Sequence, residues 1–449
     1  MITAARVLGP EQIGIYAFCV VFIGLFHIIV NLGFEPYIQR EVGRDATIAG
    51  SLMTEIFIIK FAVYLIAVVI IITTAHFIIP TEQKRNVLYV ITITMFFQTY
   101  LAVANAFFRA FQKTVYEGVS RIILRIINTG AGLAALAAGK GLMALVIIEL
   151  TAQMLACIWA WLILCSKLTL PRMRFEPRKL IRLVGKTWHF SIIRIVQSIF
   201  NSIDMVMLST MTGDLFTGYY SAAVRITSSA FGFIPNSFTG AFLPPLSRKA
   251  LEDTDSFMIS FIPYFKYLVL AGITIAVFMT GFTYDVVVLC LGKDFIPIII
   301  TVKIMAAVVL ITFINWPLTT ALIALDCERK VLRIFTVSAV VNILLNIALL
   351  PIWKDRGAAF TTLFSQLLLL FLQSIVLFRQ GISLPLLFRR SAGPLLTGIV
   401  TFTAAYLLES FGSQLWIRLS IVSVLFFVIL LLSGSFSKEF SVLRKVIGL

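Results

Sequence analysis

Ile56-Phe57-Ile58-Ile59-Lys60-Phe61-Ala62-Val63-Tyr64-Leu65-Ile66-Ala67-Val68-Val69-Ile70-Ile71-Ile72 holds one charged side chain in seventeen residues. With its flanks the apolar run reaches about 51–79, longer than the roughly 20 residues a helix needs to cross a bilayer. A backbone facing lipid must satisfy its own N–H and C=O groups, so such a run is helical. Membrane barrels read instead as short alternating segments. Comparable runs recur outward along the chain at 13–34, 87–108, 118–138, 142–165, 188–211, 218–242, 259–282, 297–324, 333–352, 357–378, 392–411 and 416–433. These make thirteen expected spans. Composition agrees: of 449 residues, 60% are apolar and 13% charged, and the mean hydropathy is +1.00. A soluble domain has about 45–50% apolar and about 25% charged residues. An ordinary soluble enzyme is excluded, and so is a disordered chain.

Met1–Val7 is an apolar stub too short to span, followed by Leu8-Gly9-Pro10-Glu11. It reads as the end of a first helix whose beginning lies upstream. A signal peptide would need a basic start and a longer apolar core. The alternative is a short interfacial lead-in. The five cysteines show no paired spacing and the three histidines are scattered. Neither a disulfide framework nor a metal cluster is implied.

Lys and Arg placement sets the orientation. Loops after the spans ending near 34, 108, 165, 242, 324, 378 and 433 carry twenty-four Lys and Arg; the loops on the other side carry eight. The first set is expected in the cytoplasm, with the C-terminus. The net charge of +16 is thus mainly a topology signal. No soluble domain exists to use it on nucleic acid.

An internal repeat organises the spans. Gly9, Gly14 and Tyr16 recur as Gly213, Gly218 and Tyr220, an offset of 204. Gln112-Lys113, Asn128 and Gly141 are echoed by Arg329-Lys330, Asn342 and Gly357 at offsets of 214 to 217. Both copies enter from the same side, so the repeats are expected to be parallel. Such folds place substrate between their halves and work by alternating access. The expected division is a first bundle at 1–165, a basic linker at 166–187, a second bundle at 188–378, and two accessory helices with a tail at 379–449.

An ordered set of segments adds a resemblance. They are Arg6-Val7-Leu8-Gly9-Pro10-Glu11-Gln12-Ile13-Gly14-Ile15-Tyr16, Asn31-Leu32-Gly33-Phe34, Ser202-Ile203-Asp204, Gly218-Tyr219-Tyr220-Ser221-Ala222-Ala223, Phe242-Leu243-Pro244-Pro245, and Asn342 and Asn346 before Pro351. Gly357-Ala358-Ala359-Phe360-Thr361-Thr362 closes the set. Together they resemble the polysaccharide and O-antigen flippases of the multidrug/oligosaccharidyl-lipid/polysaccharide (MOP) exporter superfamily. The resemblance implies an all-α polytopic fold of two six-helix bundles plus two helices. It implies a multi-pass protein of the inner (plasma) membrane. Its cargo would be an undecaprenyl-pyrophosphate-linked oligosaccharide, an O-antigen, capsule or exopolysaccharide repeat unit, moved from inner to outer leaflet. Besides the cargo, the expected partners are membrane lipids and polysaccharide polymerase and chain-length proteins.

Charges within spans are the candidate site. Burying an ionised side chain in a bilayer costs a few kcal/mol or more, so each needs a reason. The cations Lys60, Arg194, Arg225, Lys266 and Lys303 outnumber the clear anions Asp204 and Glu149. A cationic cavity suits an anionic cargo such as pyrophosphate, which Arg binds with two parallel hydrogen bonds. Asp204 and Arg225 lie about ten residues either side of one loop, so they are expected at similar depth and paired. That pair serves either as a structural bridge or as a phosphate site held in place by Asp204. Arg194 either snorkels or binds cargo; Lys60, deeper, is assigned to the cavity. Arg121 and Arg125 share a helix face with Glu117, which suits incoming phosphate or a solvated, self-paired stripe. Glu149 pairs with a cavity cation or, like Asp204, couples an ion. Lys266 and Lys303 lie near span ends and snorkel. No Gly-rich phosphate loop, metal spacing or nucleophile–base pair appears, so neither cofactor nor catalysis is expected. The competing readings are a multidrug or other small-molecule antiporter of the same superfamily and, in another class, a membrane polysaccharide polymerase.

Overall fold

The computed structural model describes residues 2–172, 195–228, 232–382, 384–390, 392–410 and 415–432. Every regular element among them is helical. Eight of the described helical stretches are long and apolar enough to cross a membrane. The chain is a multi-pass membrane protein.

Helix α1 (Ile2–Asn31) contains the stub and the first expected span. It is broken at Gly9, whose φ of 78° and ψ of 172° suit a residue without a Cβ. Pro10 then starts the next helical turn, where its missing N–H costs nothing. The repeat motif places Gly213 before another helix start, again at positive φ (97°). The two copies therefore share a local geometry as well as a sequence.

Helices α3 (Ala49–Ile78), α4 (Glu82–Ala110), α5 (Thr114–Ala137) and α6 (Leu142–Lys167) follow the expected spans to within a few residues. Helix α7 is Ile195–Met211. The span expected at 218–242 is instead two helices, α8 (Asp214–Ser228) and α9 (Phe233–Lys249). α10 (Thr254–Gly281) and α12 (Ile299–Ala324) run unbroken through Pro263 and Pro317. The two spans expected at 333–352 and 357–378 form α13 (Glu328–Arg379), which breaks at Lys354 (φ 52°, ψ −126°). α15 (Ala392–Ser410) and α16 (Leu415–Leu432) complete the spans.

Three short helices were not expected: α2 (Phe34–Arg44), α11 (Thr283–Cys290) and α14 (Leu384–Arg390). A search for long apolar runs passes over them. α2 is amphipathic, burying Phe34, Ile38 and Val42 at four-residue spacing while Arg40 and Arg44 face away.

Contacts divide the chain into two units, one through Thr210 and the other from Met211. In the first, α4 packs against α2, α3 and α6, and α5 packs on α6. One apolar core gathers Phe34, Met53, Ile56, Phe107 and Phe108; a second gathers Phe18, Ile71, Val87 and Val146. By contacts α7 groups with the first unit through Thr210. There Lys84 Nζ lies over the Phe18 ring at 4.1 Å and donates to Ser209 Oγ at 2.6 Å.

In the second unit α12 packs against both α10 and α13, and α15 packs on α10. The halves of α13 turn back tightly. A Cβ on Gly357 would stand 2.8 Å from Leu349 O and 3.2 Å from Trp353 Cβ. α16 is tied to α11 by an ion pair, Arg418 Nη2 to Asp285 Oδ2 at 2.7 Å. Arg418 also lies 5.7 Å above the Phe282 ring.

Two stability outcomes follow. Gly357→Ala is expected to cost about 1–3 kcal/mol, the usual weight of overpacking, because the atom it meets is backbone. Asp285→Ala strands a largely buried Arg418 and is expected to cost roughly 3–5 kcal/mol, most of it recovered in Asp285→Ala/Arg418→Leu. Thermal unfolding of the purified variants in detergent checks both; unchanged midpoints would discard the packing argument.

Candidate functional site

The first unit contains a cavity of about 380 Å³ between α1, α5 and α6. Helical spacing builds its walls. α5 contributes Arg125, Asn128, Thr129, Gly132, Leu133 and Leu136, which recur every three or four residues and so share one face. α6 contributes Leu142, Leu145, Ile148 and Glu149 in the same way. α1 contributes residues from both sides of its break, Thr3 and Leu8 before Gly9 and Ile13 and Tyr16 after it. The cavity is therefore apolar at one level and polar at another. Across it, Tyr16 Oη donates to Glu149 Oε2 at 2.9 Å, joining α1 to α6.

Charge near the cavity is unevenly compensated. Where α2, α4 and α5 meet, Arg109 donates through Nη2 to Glu35 Oε2 (2.9 Å) and through Nη1 to Glu117 Oε1 (2.8 Å). Arg121, one turn after Glu117, donates to the same oxygen. Two guanidiniums meet two carboxylates there, so the network is neutral. Arg125, the next turn on, has no ion-pair or hydrogen-bond partner among the described residues. It lines the cavity and is exposed. The stripe read from the sequence is thus split: Arg121 is held in a network and Arg125 is left to the cavity.

The other candidates lie elsewhere. Lys60 is 0% exposed, with Nζ donating to Asn31 Oδ1 at 2.7 Å and to Thr99 O at 3.3 Å. It sits in the packing of α1, α3 and α4, outside the cavity. The Asn31 amide nitrogen in turn lies 3.3 Å from His27 Nε2. Asp204, 2% exposed, is on α7 in the first unit, and Arg225 is half-buried on α8 in the second. Lys266 is buried on α10, and Lys303 is half-buried on α12. Arg194 lies outside the described residues.

Sequence reading singled out Arg125 and Glu149 but missed Tyr16, Asn128 and Thr129 as cavity residues. A signal existed. Arg125, Asn128, Thr129 and Gly132 follow a single helix face, and Tyr16 belongs to the repeated motif. Glu35 had no such signal, because its partner Arg109 is distant in sequence. Among the described residues no three His, Cys, Asp or Glu side chains are grouped to hold a metal ion.

Comparison with known proteins adds the following. The sequence profile of a family described as "Polysaccharide biosynthesis protein" matches residues 1–249. No curated protein matches the sequence. The fold is similar to that of the lipid II flippase MurJ in an inward closed conformation. The TM-score is 0.77 at 13% identity, covering 99% of this chain and 96% of that one. An inward-facing multidrug resistance MATE family transporter of the MOP superfamily is similar with a TM-score of 0.69 at 13% identity, covering 83% and 92%. The MATE multidrug transporter DinF-BH in complex with R6G follows at 0.60 and 15%, covering 84% and 90%. At such identities these structures establish the fold alone.

The two arginines of the stripe are expected to separate experimentally. Glu117→Ala leaves Arg109 and Arg121 without their shared acceptor and should cost about 1–3 kcal/mol of stability. Arg125→Gln touches no partner and should stay within about 0.5 kcal/mol. Unfolding midpoints of the two variants, measured side by side, test this; equal losses would contradict the assignment.

Proposed function

We propose, on the premise that the chain belongs to the polysaccharide biosynthesis protein family, that it is a flippase for lipid-linked oligosaccharide. The cargo is an undecaprenyl-pyrophosphate-linked repeat unit of O-antigen, capsule or exopolysaccharide type. It passes from inner to outer leaflet of the plasma membrane by alternating access, and no bond is broken. The C-terminus is cytoplasmic in this reading, and polymerase and chain-length proteins receive the product. The bundles at 1–165 and 188–378 are its two repeats.

One observation carries the reading. Arg125 is a guanidinium without an ion-pair partner among the described residues, on the wall of an open cavity whose polar neighbours are Asn128, Thr129, Tyr16 and Glu149. Arg125 forms no ion pair with Glu149, the carboxylate of the same cavity, and a guanidinium can give a phosphate two parallel hydrogen bonds. Asn128 and Thr129 offer amide and hydroxyl groups for sugar hydroxyls. Glu149, already holding the Tyr16 hydroxyl, is the coupling residue: it exchanges that bond for an ion or a proton during the cycle. Arg194, Arg225 and Asp204 remain proposed cargo residues, whereas Lys60, fully buried and held by Asn31 and Thr99, has a packing role. Arg121 engages phosphate when its bond to Glu117 opens.

The presence of Glu149 in the cavity favours a second reading, an antiporter of small organic cations. There the carboxylate would bind substrate and Arg125 would be dispensable.

The test is complementation of a flippase-deficient strain. Arg125→Gln should reach normal membrane abundance but lower surface glycan by roughly 10- to 100-fold, the weight of a charge-assisted hydrogen bond. Glu149→Gln should slow the same step while retaining some activity. Full surface glycan with Arg125→Gln, together with cation efflux lost in Glu149→Gln, would establish the antiporter instead.

A further inference from the structure

A second cavity, about 680 Å³, opens at the far end of α6 in the first unit. It is lined by Cys165, Ser166 and Lys167 at the end of α6, by Leu168–Arg172 beyond it, and by Ala46 and Thr47 in the turn before α3. The segment over it is held in place. Arg172 N donates to Gly50 O at 3.0 Å. The Arg172 stem lies where a side chain on residue 50 would be, since a Cβ there would meet its Cγ at 3.1 Å. Only glycine at 50 lets the segment approach this closely.

Among the described residues two cations and no carboxylate line this cavity. The Lys167 ammonium lies 5.8 Å over the Tyr116 ring and has no carboxylate partner among the described residues. The Arg172 guanidinium and the Thr169 hydroxyl have no hydrogen-bond partner among them either. Asp45, next to the lining residue Ala46, is turned to its own loop: it accepts from Thr47 N at 2.9 Å and from the Thr47 hydroxyl at 2.6 Å. Those bonds hold its carboxyl below the usual range, and it does not line the cavity. What is left is a doubly positive, hydroxyl-bearing recess. Phosphate oxygens, which accept from guanidinium and ammonium alike, are its chemical complement.

The surroundings name the kind of phosphate. Leu170 lines the cavity itself and is 66% exposed; Leu162, on α6 just before, is 64% exposed. α6 is a bilayer-length apolar helix, so these leucines extend its lipid-facing surface up to the recess. A free anion has no use for that surface, whereas acyl chains cover it. Basic recesses at helix ends are where anionic headgroups bind. We propose that this cavity binds the phosphate headgroup of an anionic phospholipid, with Lys167 and Arg172 as its cationic ligands and Thr169 as hydroxyl donor. A lipid seated there bridges the end of α6 to the start of α3. The site is independent of what the protein transports.

Native mass spectrometry of the full chain in neutral detergent tests this with dioctanoyl phosphatidylglycerol, dioctanoyl phosphatidylcholine and inorganic phosphate as probes. Wild type should bind phosphatidylglycerol at one site roughly 30-fold more tightly than phosphatidylcholine, as two surface cations imply. Lys167→Gln/Arg172→Gln should lose that preference. The charge-keeping Lys167→Arg/Arg172→Lys should retain it, as should Lys293→Gln/Lys330→Gln, which removes equal charge elsewhere. If the double glutamine variant does not fold, Arg172→Gln alone should show about a fivefold loss. Unchanged binding in the glutamine variants overturns the proposal. So does equal binding of phosphatidylcholine, or displacement of phosphatidylglycerol by millimolar inorganic phosphate, which would make the ligand a soluble anion.

Discussion

A peptide group facing acyl chains has no water to bond, so its N–H and C=O must find partners within the same segment. Most of this architecture follows from that constraint. It makes the long apolar runs helices and confines irregular backbone to positions with a local reason. Gly9 breaks α1 at positive φ with a proline behind it, and Lys354 breaks α13 where two spans turn back on each other. A helix that satisfies its own backbone is free to use its side chains for other work. α5 can therefore show a polar face of Arg125, Asn128 and Thr129 to a cavity without loss of its fold.

Side-chain polarity obeys the same accounting of partners. Arg418 is paired with Asp285, Lys84 rests on Phe18 and Ser209, and Lys60 is held by Asn31 and a carbonyl. Arg109, Arg121, Glu35 and Glu117 cancel one another. Against this background three cations beside cavities have no carboxylate partner among the described residues: Arg125 at one, Lys167 and Arg172 at the other. Each has an exposed head and a recess beside it. The chain belongs to the polysaccharide biosynthesis protein family, and the proposed cargo is assigned to the first of these. The second is the proposed lipid site.

Legibility from sequence varied with the range of the interaction. The bilayer-length runs were readable because hydropathy is a property of consecutive residues; the ends of α3 to α6 agree with that reading to within a few residues. The repeat was readable because Gly9 and Gly213 answer the same local backbone demand. Short helices such as α2 escaped because four-residue amphipathic spacing over eleven residues leaves little signal beside long apolar runs. The split of 218–242 into α8 and α9 escaped for a related reason, since apolarity continues across the break.

The sequence by itself determined an all-helical membrane chain, its spans, its charge asymmetry and a short list of ionisable residues at depth. Only the tertiary structure decided which of these have partners. Arg121 and Arg125 are four residues apart on one face and look alike in sequence. Arg109, contributed by α4, and Glu35, contributed by α2, complete a network around Glu117 that takes in Arg121 and stops short of Arg125. Compensation of a charge depends on which distant oxygen lies within about 3 Å, and that distance exists only once the helices have packed.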